Sequence, residues 1–227
     1  MLRDGPRGAR FSLDALLLAR LTEAGPAEGV VDLGCGSGVV ALMMAWRGRG
    51  GRLCGIELQP ALAALARENA ASSGLTDRLE VILMDLREIP RRLAAETFDV
   101  AVANPPHVKA GCGRPAPAAG RALARHEIAA TAGDFLAAAA HLLRPGGRCA
   151  VVYPPARLEE VLSEARSRGL SAQTLTPIRN RPSAPPWLWH IECRKGGPER
   201  PPRLAPAVVL RDDAGRPTGA YRALFAR

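Results

Sequence analysis

The chain has 227 residues, 47% of them apolar, and a net charge of +9, which suits one large α/β domain with a buried core. No stretch approaches the roughly 20 uncharged apolar residues that span a bilayer, and the opening MLRDGPRGARF carries charge where a secretory leader needs an apolar centre; these features exclude a membrane-embedded reading, and we expect a soluble cytoplasmic protein. The five cysteines, Cys35, Cys54, Cys112, Cys149 and Cys193, are odd in number and contain no CxxC pair, which argues against a disulfide framework or a zinc site, so no metal is expected.

In chain order, Ser12 is placed to cap a helix carrying Leu13, Leu16, Leu17 and Leu21, and Gly25-Pro26 ends it. GVVDL (29 to 33) is a short apolar strand, followed by the turn GCGSG and a helix from Val39 to about Arg47. RLCGIE (52 to 57) is a second strand, and Pro60 opens a helix to about Ser73. LEVIL (79 to 83) and FDVAVA (98 to 103) are the third and fourth strands; a helix from about Glu127 to Leu143 precedes a fifth, RCAVVY (148 to 153). A further helix, about Arg157 to Arg168, stops at Gly169, after which SAQTLTPI and PWLWHIEC follow one another with no helix between. In the tail, AVVL and AYRALF read as strand candidates joined at Asp212-Asp213-Ala214-Gly215.

Strands separated by helices predict a doubly wound, mostly parallel α/β sheet of seven strands with an antiparallel edge and its ligand at the strands' C-terminal ends. We expect an N-terminal helical segment over 1–25, a catalytic domain over 26–194, and a strand-like extension over 195–227 packed on that domain. Monomer and homodimer both remain open.

Charge is uneven along this plan. Residues 26–103 hold eight Arg against ten acids, a balance of −2, while the rest holds 23 basic residues against 12 acids, a balance of +11. Basic flanks favour a polyanionic partner, although 29 of the 31 basic residues are Arg, so compositional bias is a competing explanation.

The first chemical motif is VVDLGCGSG, with Asp32, Gly34, Cys35, Gly36 and Gly38 at a strand-to-helix turn. Glycines there let backbone approach a ligand, and Val39 replaces the last glycine of a dinucleotide fingerprint. Glu57 with Leu58 ends the second strand and Asp85 with Leu86 follows the third. Three carboxylates at successive strand ends are expected to converge on one cleft. Asn104 then follows the fourth strand in ANPPH. Its side-chain oxygen and the Pro105 carbonyl can accept the N–H bonds of an exocyclic amine and direct its lone pair, while Pro105-Pro106 stiffens the segment and adds no competing N–H.

DxGxGxG resembles the motif of class I S-adenosylmethionine-dependent methyltransferases. That resemblance implies S-adenosyl-L-methionine as cofactor, with Asp32 near its ammonium, Glu57 on its ribose and Asp85 near its adenine. NPPH resembles the [DNS]PP[YFW] motif of amino methyltransferases, with His107 at the usual stacking aromatic position. With RFSLDALLLA, GRALARHE, LLRPGGRCAVVYP and the late IRNRP segment, the chain resembles the bacterial tRNA(Val) adenine-37 N6-methyltransferase family, which implies a tRNA substrate and a cofactor-side role for Phe11 and Asp14. Lys109, Arg114, Arg121 and Arg125 form an acid-free basic run after the motif, suited to phosphates flanking a flipped base, with Arg179 and Arg181 as further rim candidates. A protein glutamine or small-amine methyltransferase, and an inactive cofactor-binding interaction protein, are the alternatives.

Overall fold

The computed structural model describes residues 12–106 and 130–225. Helix α1 (Leu13–Leu21) begins where the Ser12 side chain accepts a hydrogen bond from the Ala15 N–H, and buries Ala15, Leu17, Leu18 and Ala19. Then come β1 (Gly29–Leu33), α2 (Val39–Trp46), β2 (Arg52–Glu57), α3 (Pro60–Ser72), β3 (Leu79–Leu83), the short α4 (Ile89–Arg92) and β4 (Phe98–Ala103). Helix α5 (Ala132–Leu142) starts on a reciprocal Thr131–Asp134 capping box. Strand β5 (Leu143–Tyr153), α6 (Leu158–Ser167), β6 (Leu170–Arg179) and β7 (Leu188–Lys195) complete the main sheet. The tail adds the two-residue strands β8 (Arg203–Leu204) and β9 (Val208–Val209) and the helix α7 (Gly219–Ala223).

The strand order is β3-β2-β1-β4-β5-β7-β6, with β8 and β9 both pairing along β6. The pairs β1–β2, β1–β4, β2–β3 and β4–β5 are parallel, and β7 is antiparallel to both neighbours. The antiparallel strand thus lies between β5 and β6, which leaves β6 parallel to β5. Helices cover both faces of the sheet. One core gathers α1, α2 and α3 with Val30, Leu53 and Val100; the other gathers α5 and α6 with Val31, Ile56 and Ala101. Alternate residues of each central strand feed opposite faces, as the period of two requires.

Two expectations are corrected. AYRALF is no strand: Thr218 caps α7 by accepting the Tyr221 N–H, and Leu224 enters the first core. Strand β5 begins at Leu143 rather than Arg148, because Leu143 already pairs with Phe98 and a register shift before Val100 absorbs the Pro-Gly-Gly segment. Among the described residues no helix is long and apolar enough to cross a membrane, and Cys35, Cys54, Cys149 and Cys193 are free and buried.

Candidate cofactor and methyl-transfer site

The site starts from the glycine turn between β1 and α2. Gly34, Gly36 and Gly38 all hold positive φ, at 69°, 56° and 82°, a region other residues enter at a cost. The first two N–H groups of the turn, from Gly34 and Cys35, donate to the Ile56 carbonyl of β2 at 2.8 and 3.0 Å. A Cβ on Gly34 would lie 3.0 Å from a ring carbon of Phe135, so α5 closes against the turn at that point. Asn69, fully buried on α3, donates from Nδ2 to the Ser37 carbonyl at 3.1 Å and braces the far side.

The three acids behave differently. Glu57 is buried and binds two backbone N–H groups, from Gly36 at 2.8 Å and Gln59 at 2.9 Å, one with each carboxylate oxygen. Asp85 accepts from the Arg87 N–H at 2.9 Å and from its guanidinium through both oxygens; the side-chain bond to Arg87 holds its carboxyl below the usual range. Asp32 is 2% exposed and accepts from the Ala41 N–H at 3.3 Å. The cap residue of α2 is Gly38, which has no side chain to satisfy the helix's first N–H groups; Asp32 reaches up from β1 to supply that acceptor. Burial, reinforced by the nearby Glu57 charge and opposed by the Ala41 hydrogen bond, raises its pKa to about 7.

A cavity of about 370 Å³ opens at the C-terminal ends of the parallel strands, within the size range of small-molecule sites. Its walls include Gly34 and Gly36, then Glu57 and Leu58, Asp85 and Leu86, and Asn104 and Pro106. Leu58 is 38% exposed there, an apolar surface suited to one face of a ring. The fold therefore brings these eight predicted residues to one hollow. Asp32, Cys35, Gly38, Pro105 and Asp14 do not line it: Asp32 faces α2, Cys35 packs under Gly55, Pro105 is buried behind Asn104, and Asp14 lies in the first turn of α1. Arg181 is exposed in the loop after β6. Phe11, His107, Lys109, Arg114, Arg121 and Arg125 lie outside the described residues. Sequence reasoning passed over Ile56, Gln59, Leu62, Arg87, Ala130 and Phe135. An arginine two residues after a strand-end acid was the readable signal for Arg87; nothing local marks Phe135.

Asn104 sits where β4 ends, half-buried, and its Nδ2 donates to the Ser12 hydroxyl oxygen at 3.2 Å. The donor set fits an adenosyl sulfonium cofactor: an acid with lone pairs to spare beside a glycine turn, a second acid at the next strand end, and apolar walls between them. A larger hollow of about 590 Å³ lies between α6 and the start of β6, at the opposite end of the strands from where this fold class binds ligands.

A β3-β2-β1-β4-β5-β7-β6 sheet with a glycine turn after β1 and acids at its neighbouring strand ends defines a class I S-adenosylmethionine-dependent methyltransferase. Residues 25–181 match the Methyltransferase domain family, and the fold resembles a predicted O-methyltransferase from Agrobacterium tumefaciens with a TM-score of 0.76 over 93% of this chain and 95% of that one, at 20% identity. The chain is 33% identical over 183 residues to the tRNA1(Val) (adenine(37)-N6)-methyltransferase of Porphyromonas gingivalis, covering 78% of this chain and 71% of the relative. It is 30% identical over 220 residues to the enzyme of the same name from Dickeya chrysanthemi, covering 95% and 85%. The chain belongs to the tRNA1(Val) (adenine(37)-N6)-methyltransferase family; it is an S-adenosylmethionine-dependent N-methyltransferase.

Proposed function

We propose that the protein methylates the exocyclic N6 amine of an adenine in tRNA, at the position its relatives' names give, adenine 37 of tRNA1(Val), in the cytoplasm. The observation that carries this reading is Asn104 at the end of β4, on the wall of the same cavity as Glu57 and Asp85, followed by two prolines. The cofactor supplies an electrophilic methyl group on a sulfonium. Asn104 Oδ1 and the Pro105 carbonyl accept the two amine N–H bonds, which turns the nitrogen lone pair out of conjugation and in line for attack. The Pro106 nitrogen carries no hydrogen to compete for those acceptors. Glu57 holds the ribose hydroxyls with the lone pairs its backbone bonds leave unused, and Leu58, Leu86 and Asp85 take the adenine end. Cys35 and Gly38 serve by shaping the turn, and Asp32 by anchoring α2 beneath it. Phe11 and Asp14 close the cofactor side. His107 stacks on the target base, and Lys109, Arg114, Arg121 and Arg125 hold flanking phosphates.

Arg181 extends that grip. Its guanidinium lies against the tail turn at Gly215, which is tied to the end of β6 by the Leu210 and Arg211 N–H groups donating to the Arg179 and Asn180 carbonyls at 3.0 Å. From β4 to β6 is three strand steps, about 14 Å at the usual spacing, so one RNA strand can occupy both places. The test is methyl transfer from labelled cofactor to unmodified tRNA, followed by nucleoside mass spectrometry. N6-methyladenosine is the expected product, and its absence with methylation of protein glutamine instead overturns the assignment. His107→Tyr should preserve activity, and His107→Ala should lose about 1 to 3 kcal/mol of substrate engagement, the range for stacking one base.

A further inference from the structure

A side-chain amide has two orientations that exchange oxygen for nitrogen with almost no change of shape. Only one of them serves the reaction, because the oxygen must face the incoming amine while the NH2 group points elsewhere. Pro105 and Pro106 stiffen the backbone around Asn104 but do nothing to choose between these orientations. Something outside the motif must make the choice.

We propose, building on the function proposed above, that Ser12 is a positioning residue that sets the orientation of the Asn104 amide. Asn104 Nδ2 lies 3.2 Å from Ser12 Oγ, across 92 residues of sequence. The same oxygen accepts the Ala15 N–H at 3.2 Å, where it caps α1. A serine hydroxyl has two acceptor lone pairs and one hydrogen. Both lone pairs are taken by N–H donors, one from the helix and one from the amide. With Nδ2 on Ser12, Oδ1 is the end left for the amine on a residue that lines the cavity with Pro106; in the reverse orientation the hydroxyl would give its hydrogen to Oδ1 and occupy the acceptor the reaction needs. Since Ser12 opens α1, whose Leu17, Leu18 and Ala19 are fixed in the core, the hydroxyl is presented by a rigid element. The bond is neutral and solvent-accessible, so its effect is modest: roughly 3- to 10-fold on the population of competent orientations.

Capping and amide-holding can be separated, because glycine is nearly as good a helix cap as serine but has no hydroxyl. Ser12→Gly should leave thermal stability and cofactor affinity close to wild type while the single-turnover rate on saturating unmodified tRNA falls roughly 3- to 10-fold. Ser12→Thr, which keeps the acceptor, should restore the rate. In an Asn104→Asp background either carboxylate oxygen can accept from the amine, so adding Ser12→Gly should change the rate less than about two-fold, a non-additivity that marks direct coupling. An unaltered single-turnover rate in Ser12→Gly, with Asn104→Ala inactive, overturns the role of Ser12 alone. An equal loss from Ser12→Gly in both backgrounds overturns it too, since the effect then bypasses the amide. A fully active Asn104→Ala overturns the reading on which it rests.

Discussion

Asp32→Asn isolates what a buried negative charge does to this fold. Burial raises the carboxyl from its ordinary 3.8 to about 7. Between those two values the folded chain keeps a proton that the unfolded chain has released, so stability must fall as pH rises through the window. A gap of about three pH units at about 1.4 kcal/mol each gives about 4 kcal/mol by pH 8. Asparagine keeps an oxygen for the Ala41 N–H, which Asp32 now accepts at 3.3 Å, and carries no charge. The variant should therefore match wild type near pH 4 and exceed it by up to about 4 kcal/mol near pH 8. Urea unfolding of the cofactor-free proteins, repeated at intervals from about pH 4.5 to 8.5, measures this difference directly. Two stability curves that run parallel across that range refute the argument, because no other change introduced by the substitution titrates there.

The other sites give sharper single outcomes. Glu57→Ala strips the acceptor from two backbone N–H groups and, on the proposed reading, from the cofactor's ribose, so it should cost on the order of 2 to 5 kcal/mol of stability and weaken cofactor binding at least 10-fold; unchanged calorimetric affinity removes Glu57 from the cofactor site. Gly34→Ala places a methyl group 3.0 Å from the Phe135 ring at a φ of +69°. Adding Phe135→Leu should recover only the steric part of the stability lost, as read by urea unfolding, leaving a backbone cost of about 1 to 2 kcal/mol. Burial raises the Cys35 thiol far above its ordinary value, with the Asp32 and Glu57 charges adding to the shift, so the native protein should resist iodoacetamide at Cys35 at pH 8 while the unfolded chain is labelled, as read by peptide mass spectrometry. Arg181→Ala should flatten the salt dependence of tRNA binding by about one unit of log–log slope and leave cofactor affinity unchanged.

Much of this arrangement is legible in the chain because it is local. β1 to β4 run over the residues that their short apolar runs and flanking turns indicate, and Ser12 and Pro60 start their helices by side-chain chemistry available within one turn, whereas the helix expected from about Glu127 starts at Ala132 on a Thr131 cap that sequence reasoning passed over. Long-range pairing is what the pattern hides. β8 and β9 are two residues each and exist only because β6 offers them a partner. The five-residue α7, started by the Thr218 cap, was masked by a short, β-prone composition. At the site, the strand-end rule located Glu57, Asp85 and Asn104, since a parallel sheet must gather those positions. The same rule sends Asp32 to that cleft as well, but the structure turns its carboxylate to the Ala41 N–H and off the cavity wall, because a helix beginning on a glycine has its own need for an acceptor. Phe135 and Ser12 reach the site from elements far away in sequence, which no spacing in the chain announces.

The pairing of the tail with β6 also bears on how the chain escapes aggregation. A ten-residue strand at the margin of a sheet offers a row of unsatisfied N–H and C=O groups to any other extended chain. Here β8 takes up that row at Thr174 and Leu175, and β9 at Ile178 and Arg179. The strand order adds a delay during synthesis: β6 leaves the ribosome before β7, yet β7 must insert between β5 and β6, and the covering segments emerge later still. For that interval the nascent sheet carries an open template along β6, until residues 196–227, the last to be made, cover it at Thr174–Leu175 and Ile178–Arg179.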